Sequence, residues 1–173
     1  MTITIRRRHL PWVALVPIVA VAAFVLAGGS NAAPKSVPLH GSMNDINHAV
    51  PPASCPSVLH ICSQFVANGS FHGTGLVSVD TFPNAAQHGY SEAHTVITTN
   101  KGELHCNEAA LFDLSNAQIP HYVHPFVDLC LIDGATSTGD YAGASGYIQE
   151  VGTFDFAAGV GSLDYYGQIT YGN

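Results

Sequence analysis

Basic side chains are scarce in this chain. Of its 173 residues only 5 are Lys or Arg: Arg6, Arg7 and Arg8 stand together near the N-terminus, and Lys35 and Lys101 are the rest. A phosphate backbone is held by clustered Lys or Arg that displace its counterions, so nucleic acid is excluded as a partner. An anionic membrane surface is excluded for the same reason. Helical periodicity is also missing, since no segment repeats apolar residues at helical spacing over three turns. There is no CxxC pair to suggest a zinc site. No G-x-S-x-G turn supports a nucleophilic serine, and no glycine loop is built to cradle phosphate. What remains is 47% apolar residues, enough for the core of one domain, with no linker to divide it.

Residues 1–33 read as a signal peptide. A basic start at Arg6 to Arg8 leads into an apolar run from Trp12 to Ala27, followed by small residues from Gly28 to Ala33. The competing reading is an uncleaved membrane anchor over Leu10 to Ala27, but Pro11 and Pro17 interrupt that run. Cleavage before Lys35 leaves two lysines against all 12 acidic side chains, a formal charge of −10 (2 − 12). The expected location is extracellular or in the cell envelope, with no membrane attachment after cleavage.

The four cysteines, Cys55, Cys62, Cys106 and Cys130, all follow the leader. An even count in an exported chain implies disulfides. Cys55 and Cys62 share one Pro-rich loop, whereas Cys106 and Cys130 lie in two apolar, strand-like segments, so the expected bridges are 55 to 62 and 106 to 130.

Residues 34–62 carry scattered prolines and read as an extended N-terminal arm closed by the first disulfide loop. Residues 63–173 read as the folded domain. Segments rich in Val, Ile, Thr, Tyr and Phe alternate there with Gly, Asn and Asp clusters. Strands are predicted at 63–67, 70–80, 90–99, 103–113, 126–133, 145–156 and 160–171. Asn100-Lys101-Gly102 and Ala157-Ala158-Gly159 are hairpin signals. Consecutive hairpins favour an all-β, up-and-down antiparallel barrel, because closure removes exposed edges.

Placing Cys106 directly opposite Cys130 sets a register with Leu104 beside Ile132, Ala110 beside Phe126 and Glu108 beside Asp128. In that register Glu108 and Asp128 face each other at roughly 5 Å, where like charges destabilise unless one is protonated. They are the first candidates for acid–base catalysis. Both strands are apolar on both sides, so the alternative stays open that Val127, Leu129 and Leu131 are buried and the two acids face water. Glu92 and His94, which share a face with Tyr90 and Val96, are the reserve catalytic candidates; the other parity turns Ala93, Thr95 and Ile97 inward and is preferred. His121 and His124 are the only close histidine pair, with His88, His94 or His105 as a conceivable third ligand. Their spacing is weak, and no metal site is assigned. No cofactor is expected.

The stretch from Thr138 through Gly139, Tyr141, Gly143 and Gly146 to Ile148, continued by Gly161 to Ile169, resembles exported bacterial proteins with an allene oxide cyclase barrel-like domain. It is also similar to the G-x-[FY]-x-x-A-x-G run of plant dirigent proteins. The resemblance implies a barrel of eight strands around a cavity, over roughly residues 63–172. The strand missing from the seven predicted above would come from residues 114–125 or from the arm. Gly139, Gly143 and Gly146 are read as structural, permitting a tight turn and strand curvature. Barrels of that group act on epoxidised fatty acids or orient radicals, but none of their catalytic residues maps onto this chain by position, and no arginine is available for a substrate carboxylate. The expected function is binding of a small apolar molecule in the cavity, extending to cofactor-free cyclisation or isomerisation. The alternative is a non-catalytic extracellular protein whose barrel is filled by Phe112, Phe126, Phe154, Phe156 and Tyr165. The resemblance also suggests self-association, for which Val127, Leu129 and Leu131 offer an apolar face.

Overall fold

The computed structural model describes residues 34–47, 50–82 and 89–172. The expected signal peptide and His88 lie outside the described residues. Eight strands run in chain order: β1 Ser36–Asn47, β2 Cys62–Gly69, β3 Gly73–Thr81, β4 Tyr90–Thr99, β5 Gly102–Phe112, β6 Val123–Ile132, β7 Ser145–Asp155 and β8 Val160–Thr170. Each pairs antiparallel with the next, and β8 pairs with β1 to close the barrel. The all-β, up-and-down barrel expected from the hairpin chain is thus the fold. Single 3-10 turns at Pro52–Ser54 and Gly139–Tyr141 are the helical segments among the described residues. No helix among those residues is long and apolar enough to cross a membrane.

The strand missing from the sequence reading is β1, which lies in the segment taken for an arm. Residues 36–40 pair only with β8, and pairing to β2 begins at Gly41. Pro38 therefore sits where only one neighbour needs its backbone, the setting in which a strand tolerates proline. Further along, Asp45 adopts a positive φ of 55° and the register shifts on both sides of the strand. This bulge inserts an extra residue and changes the parity, so the buried side chains Leu39, Met43 and Ile46 are spaced four and then three apart.

Both disulfides form as expected, Cys55–Cys62 and Cys106–Cys130. The register around the second one differs from the predicted register. Cys106 stands opposite Ile132, Glu108 opposite Cys130, and Ala110 opposite Asp128, a slip of two residues. The sulfurs join across a diagonal, with Cα atoms 5.5 Å apart, because the twist of a closing barrel shortens one diagonal between strands. A two-residue slip keeps parity, so the face assignment survives it. Val127, Leu129 and Leu131 point outward and are 47%, 43% and 53% exposed, while Phe126, Asp128 and Cys130 point inward and are buried.

The interior has two parts. At the end marked by the β2–β3, β4–β5 and β6–β7 connections it is packed solid. Phe71 stacks on Tyr165 with ring centres 5.6 Å apart and meets Tyr141 edge-on, above Ile97, Leu104, Ile148 and Ile169. The glycines of the resemblance motif lie at this end, all three with positive φ. A Cβ on Gly139 would stand 2.1 Å from the Lys101 carbonyl oxygen, and one on Gly146 would stand 2.0 Å from that of Gln168. These glycines let the motif lie against neighbouring backbone and have no part in the chemistry of the interior. The other end of the barrel is where the candidate site lies.

Candidate functional site

A cavity of about 90 Å³ occupies the end of the barrel formed by the start of β2, the end of β3, the start of β4, the end of β5, the start of β6 and the end of β7. Its wall includes Phe65, Phe82, Phe112, Phe126, Phe154 and Phe156. Four of these rings pack in a row, with centres 5.0 Å apart for Phe126 and Phe112, 5.2 Å for Phe112 and Phe156 and 5.2 Å for Phe156 and Phe154. An apolar cavity of about 150 Å³ accepts benzene, so this one suits a somewhat smaller group. Ile61 and Phe156, at its rim, are 37% and 38% exposed.

Three acids interrupt the apolar wall: Glu108 from β5, Asp128 from β6 and Glu150 from β7. One carboxyl oxygen from each lies within 4.8 Å of the other two. Strand alternation explains their convergence. Glu108 shares parity with Leu104, Cys106 and Ala110, Asp128 with Phe126 and Cys130, and Glu150 with Ile148 and Phe154, all of them buried. The Thr95 hydroxyl of β4 donates to Glu108 Oε2. Asp128 and Glu150 are directly paired across the β6–β7 ladder.

Burial away from water sets the protonation of this cluster. It pushes the Asp128 carboxyl up to about 11, helped by the charge of Glu108, a hydrogen bond with Glu108 and the charge of Glu150, while the Leu129 amide pulls weakly the other way. Burial also raises Glu150 well above the usual carboxylate range, with the charge of Glu108 adding to it. Near neutral pH Asp128 therefore holds a proton, and the charged form of Glu150 is disfavoured. Among the described residues the lysines are Lys35, just before β1, and Lys101, in the β4–β5 turn. Both belong to the packed end, so no lysine among the described residues compensates the acids.

The other candidates are placed elsewhere. Glu92 and His94 are exposed on the outer face of β4, while Ser91, Ala93 and Thr95 line the cavity. Glu92 accepts from Tyr90 and Thr81, and His94 lies 3.3 Å from Asp80. The two are surface groups because the apolar and hydroxyl-bearing set of β4 fills the inner positions. His121 and His124 diverge: His121 Nδ1 is 3.2 Å from Asp155 at the surface, whereas His124 is buried, with Nδ1 2.7 Å from the Asp113 carbonyl oxygen. Glu150 was not singled out in the sequence. The signal for it was its parity with Ile148 and Phe154, blurred by the apolar Tyr147 and Val151 on the opposite face.

Comparison with known proteins brings no match, whether to a protein family, a curated protein or a solved structure.

Proposed function

We propose that this barrel is an exported protein that binds a small, mainly apolar molecule and shifts a proton within it, acting as a cofactor-free isomerase or cyclase. The observation that carries the reading is the meeting of Glu108 and Asp128 in one apolar cavity, with a proton held on Asp128. Acid–base work needs one group that takes a proton and one that gives it, at environments that push their affinities apart. Glu108, oriented by Thr95, takes a proton from a carbon beside an unsaturated or carbonyl group. Asp128 delivers its proton to the far end of the same conjugated system. One proton is taken and one is given, so the step needs no redox partner, and the hydrogen bond between the two acids resets the pair.

The cavity volume favours a compact substrate over a long acyl chain, which departs from what the resemblance to allene oxide cyclase barrels implies. The leader and the two disulfides support export. The solid packing of Phe71, Tyr141 and Tyr165 favours the second reading, a non-catalytic extracellular barrel, for half of the interior only.

Native mass spectrometry of the protein purified from its own host tests the proposal. A co-purified small organic molecule, lost in Glu108→Gln, is the expected result. Finding no adduct, and no binding of compact apolar probes by the purified chain, would leave the non-catalytic reading.

A further inference from the structure

Among the described residues the cavity is lined by acids and aromatic faces, with no Lys or Arg. Asp128 is only 4% exposed and lines the cavity, and its Oδ1 has no hydrogen-bond partner. A buried acceptor left unpaired is costly unless a ligand supplies the donor. Six phenylalanine side chains share the wall with the acids, and aromatic faces attract organic cations through the negative face of the ring. Acceptors grouped around a tetrahedral ammonium nitrogen at about 2.8 Å stand about 4.6 Å from one another. The three carboxyl oxygens, all within 4.8 Å of each other, are close enough together to serve one such group.

A divalent metal ion is the competing occupant. It requires about six oxygen ligands at short range, whereas the rest of this wall is phenyl and aliphatic carbon, with hydroxyls from Ser63, Ser91 and Thr95. Charge also points away from it. With a proton on Asp128 and burial disfavouring the charged form of Glu150, the cluster offers less negative charge than a divalent ion needs. An anionic ligand would find no Lys or Arg in the wall among the described residues.

We propose that the cavity selects a compact organic ammonium ion, whose N–H groups are taken by Glu108, Asp128 and Glu150 and whose alkyl body lies against the phenylalanine faces. The proposal rests on the reading of this space as a ligand cavity, and names the class of molecule that enters it.

Isothermal titration calorimetry on the intact protein tests it, with isopropylamine, the nearly isosteric isopropanol, isobutyrate, and the chlorides of calcium and manganese as probes. The expected result is that isopropylamine binds about tenfold tighter than isopropanol, isobutyrate does not bind, and the amine preference disappears in Glu108→Gln. Asp128→Leu, which removes the unpaired acceptor, serves the same purpose if Glu108→Gln folds poorly. Equal affinities for amine and alcohol would overturn the ammonium proposal while leaving the cavity reading in place. Failure of every organic probe to bind would remove both. Calcium or manganese displacing the amine would replace it with a metal site.

Discussion

Asp128 and Glu150 stand directly opposite each other on β6 and β7, and both side chains are buried inside the barrel. Two acids in that relationship store a dependence on pH in the stability of the fold, because neither can ionise cheaply.

The sign follows from the direction of the shifts. Asp128 is raised to about 11 and Glu150 is raised as well, so the folded chain holds protons that the unfolded chain releases. Their contribution is complete below the unfolded carboxyl value, about pH 4, and is lost as pH rises toward the folded value. Each group costs about 1.4 kcal/mol per pH unit across that window. Three other carboxylates act oppositely at the acid end: Glu92, lowered by the Tyr90 hydroxyl, Asp113, lowered by the Ser115 amide, and Asp155, lowered by the Ala158 amide. Stability should therefore peak near about pH 4 to 5 and fall toward about pH 8. Urea denaturation at several pH values measures this. Asp128→Asn should flatten the slope between about pH 5 and 8, and an unchanged slope would show that Asp128 is not the group responsible.

The hairpin signals were legible because local chemistry fixes them. Asn100 and Lys101 form the two-residue turn between β4 and β5, with Gly102 at a φ of +132°. At the β7–β8 turn the Asp155 carboxylate caps the amides of Ala157 and Ala158, and Gly159 takes positive φ. The first strand was not legible, because the bulge at Asp45 gave Leu39, Met43 and Ile46 a spacing closer to that of a helix. The acid pair was legible only in part. Parity, a local property, put Glu108 and Asp128 on one face, but register is global, and the assumption that a disulfide joins directly opposite residues misplaced it by two positions. With the register displaced, Glu150 went unseen as the neighbour of Asp128.

The Cys106–Cys130 bridge closes a loop of 24 residues between strands that are already adjacent. Its main effect falls on the unfolded chain, whose freedom it limits by about 3 kcal/mol. The double variant Cys106→Ala with Cys130→Ala should keep the barrel, as read by far-ultraviolet circular dichroism, and lose about that much stability in urea. Peptide mapping without reductant checks the linkage itself. Recovery of Cys106 joined to any other cysteine would contradict the β5–β6 register.

Gly75 lies across from Phe65 on the β2–β3 ladder, and the Phe65 ring covers it. A Cβ at Gly75 would stand 1.9 Å from the ring carbon Cζ. Gly75→Ala must push that ring aside in a packed wall, at a cost of about 1 to 3 kcal/mol. Phe65→Leu in the same chain should recover part of the loss, because the two residues are in contact and their effects do not add. Simple additivity in denaturant titrations would mean that the contact is not the cause. Phe65 also lines the cavity, so Gly75→Ala should weaken isopropylamine binding as well.

Tyr165 ties the packed end together through its hydroxyl, which donates to the Asn68 carbonyl oxygen at 2.9 Å and accepts the Phe71 amide at 3.0 Å. It lies across from Gly41 in the β1–β8 ladder, and a Cβ at Gly41 would stand 2.5 Å from the hydroxyl oxygen. That glycine leaves the space through which the hydroxyl reaches the β2–β3 connection. Tyr165→Phe keeps the ring stacked on Phe71 but strands a buried amide and a carbonyl, which should cost about 1 to 3 kcal/mol. Hydrogen exchange at the Phe71 amide should accelerate in the variant beyond the change in global stability. The carboxyl cluster should keep its amine affinity, since the lost bonds belong to the opposite end of the barrel. An amine affinity that fell along with stability would mean that the two ends of the interior are mechanically coupled, contrary to the division drawn between packed floor and cavity.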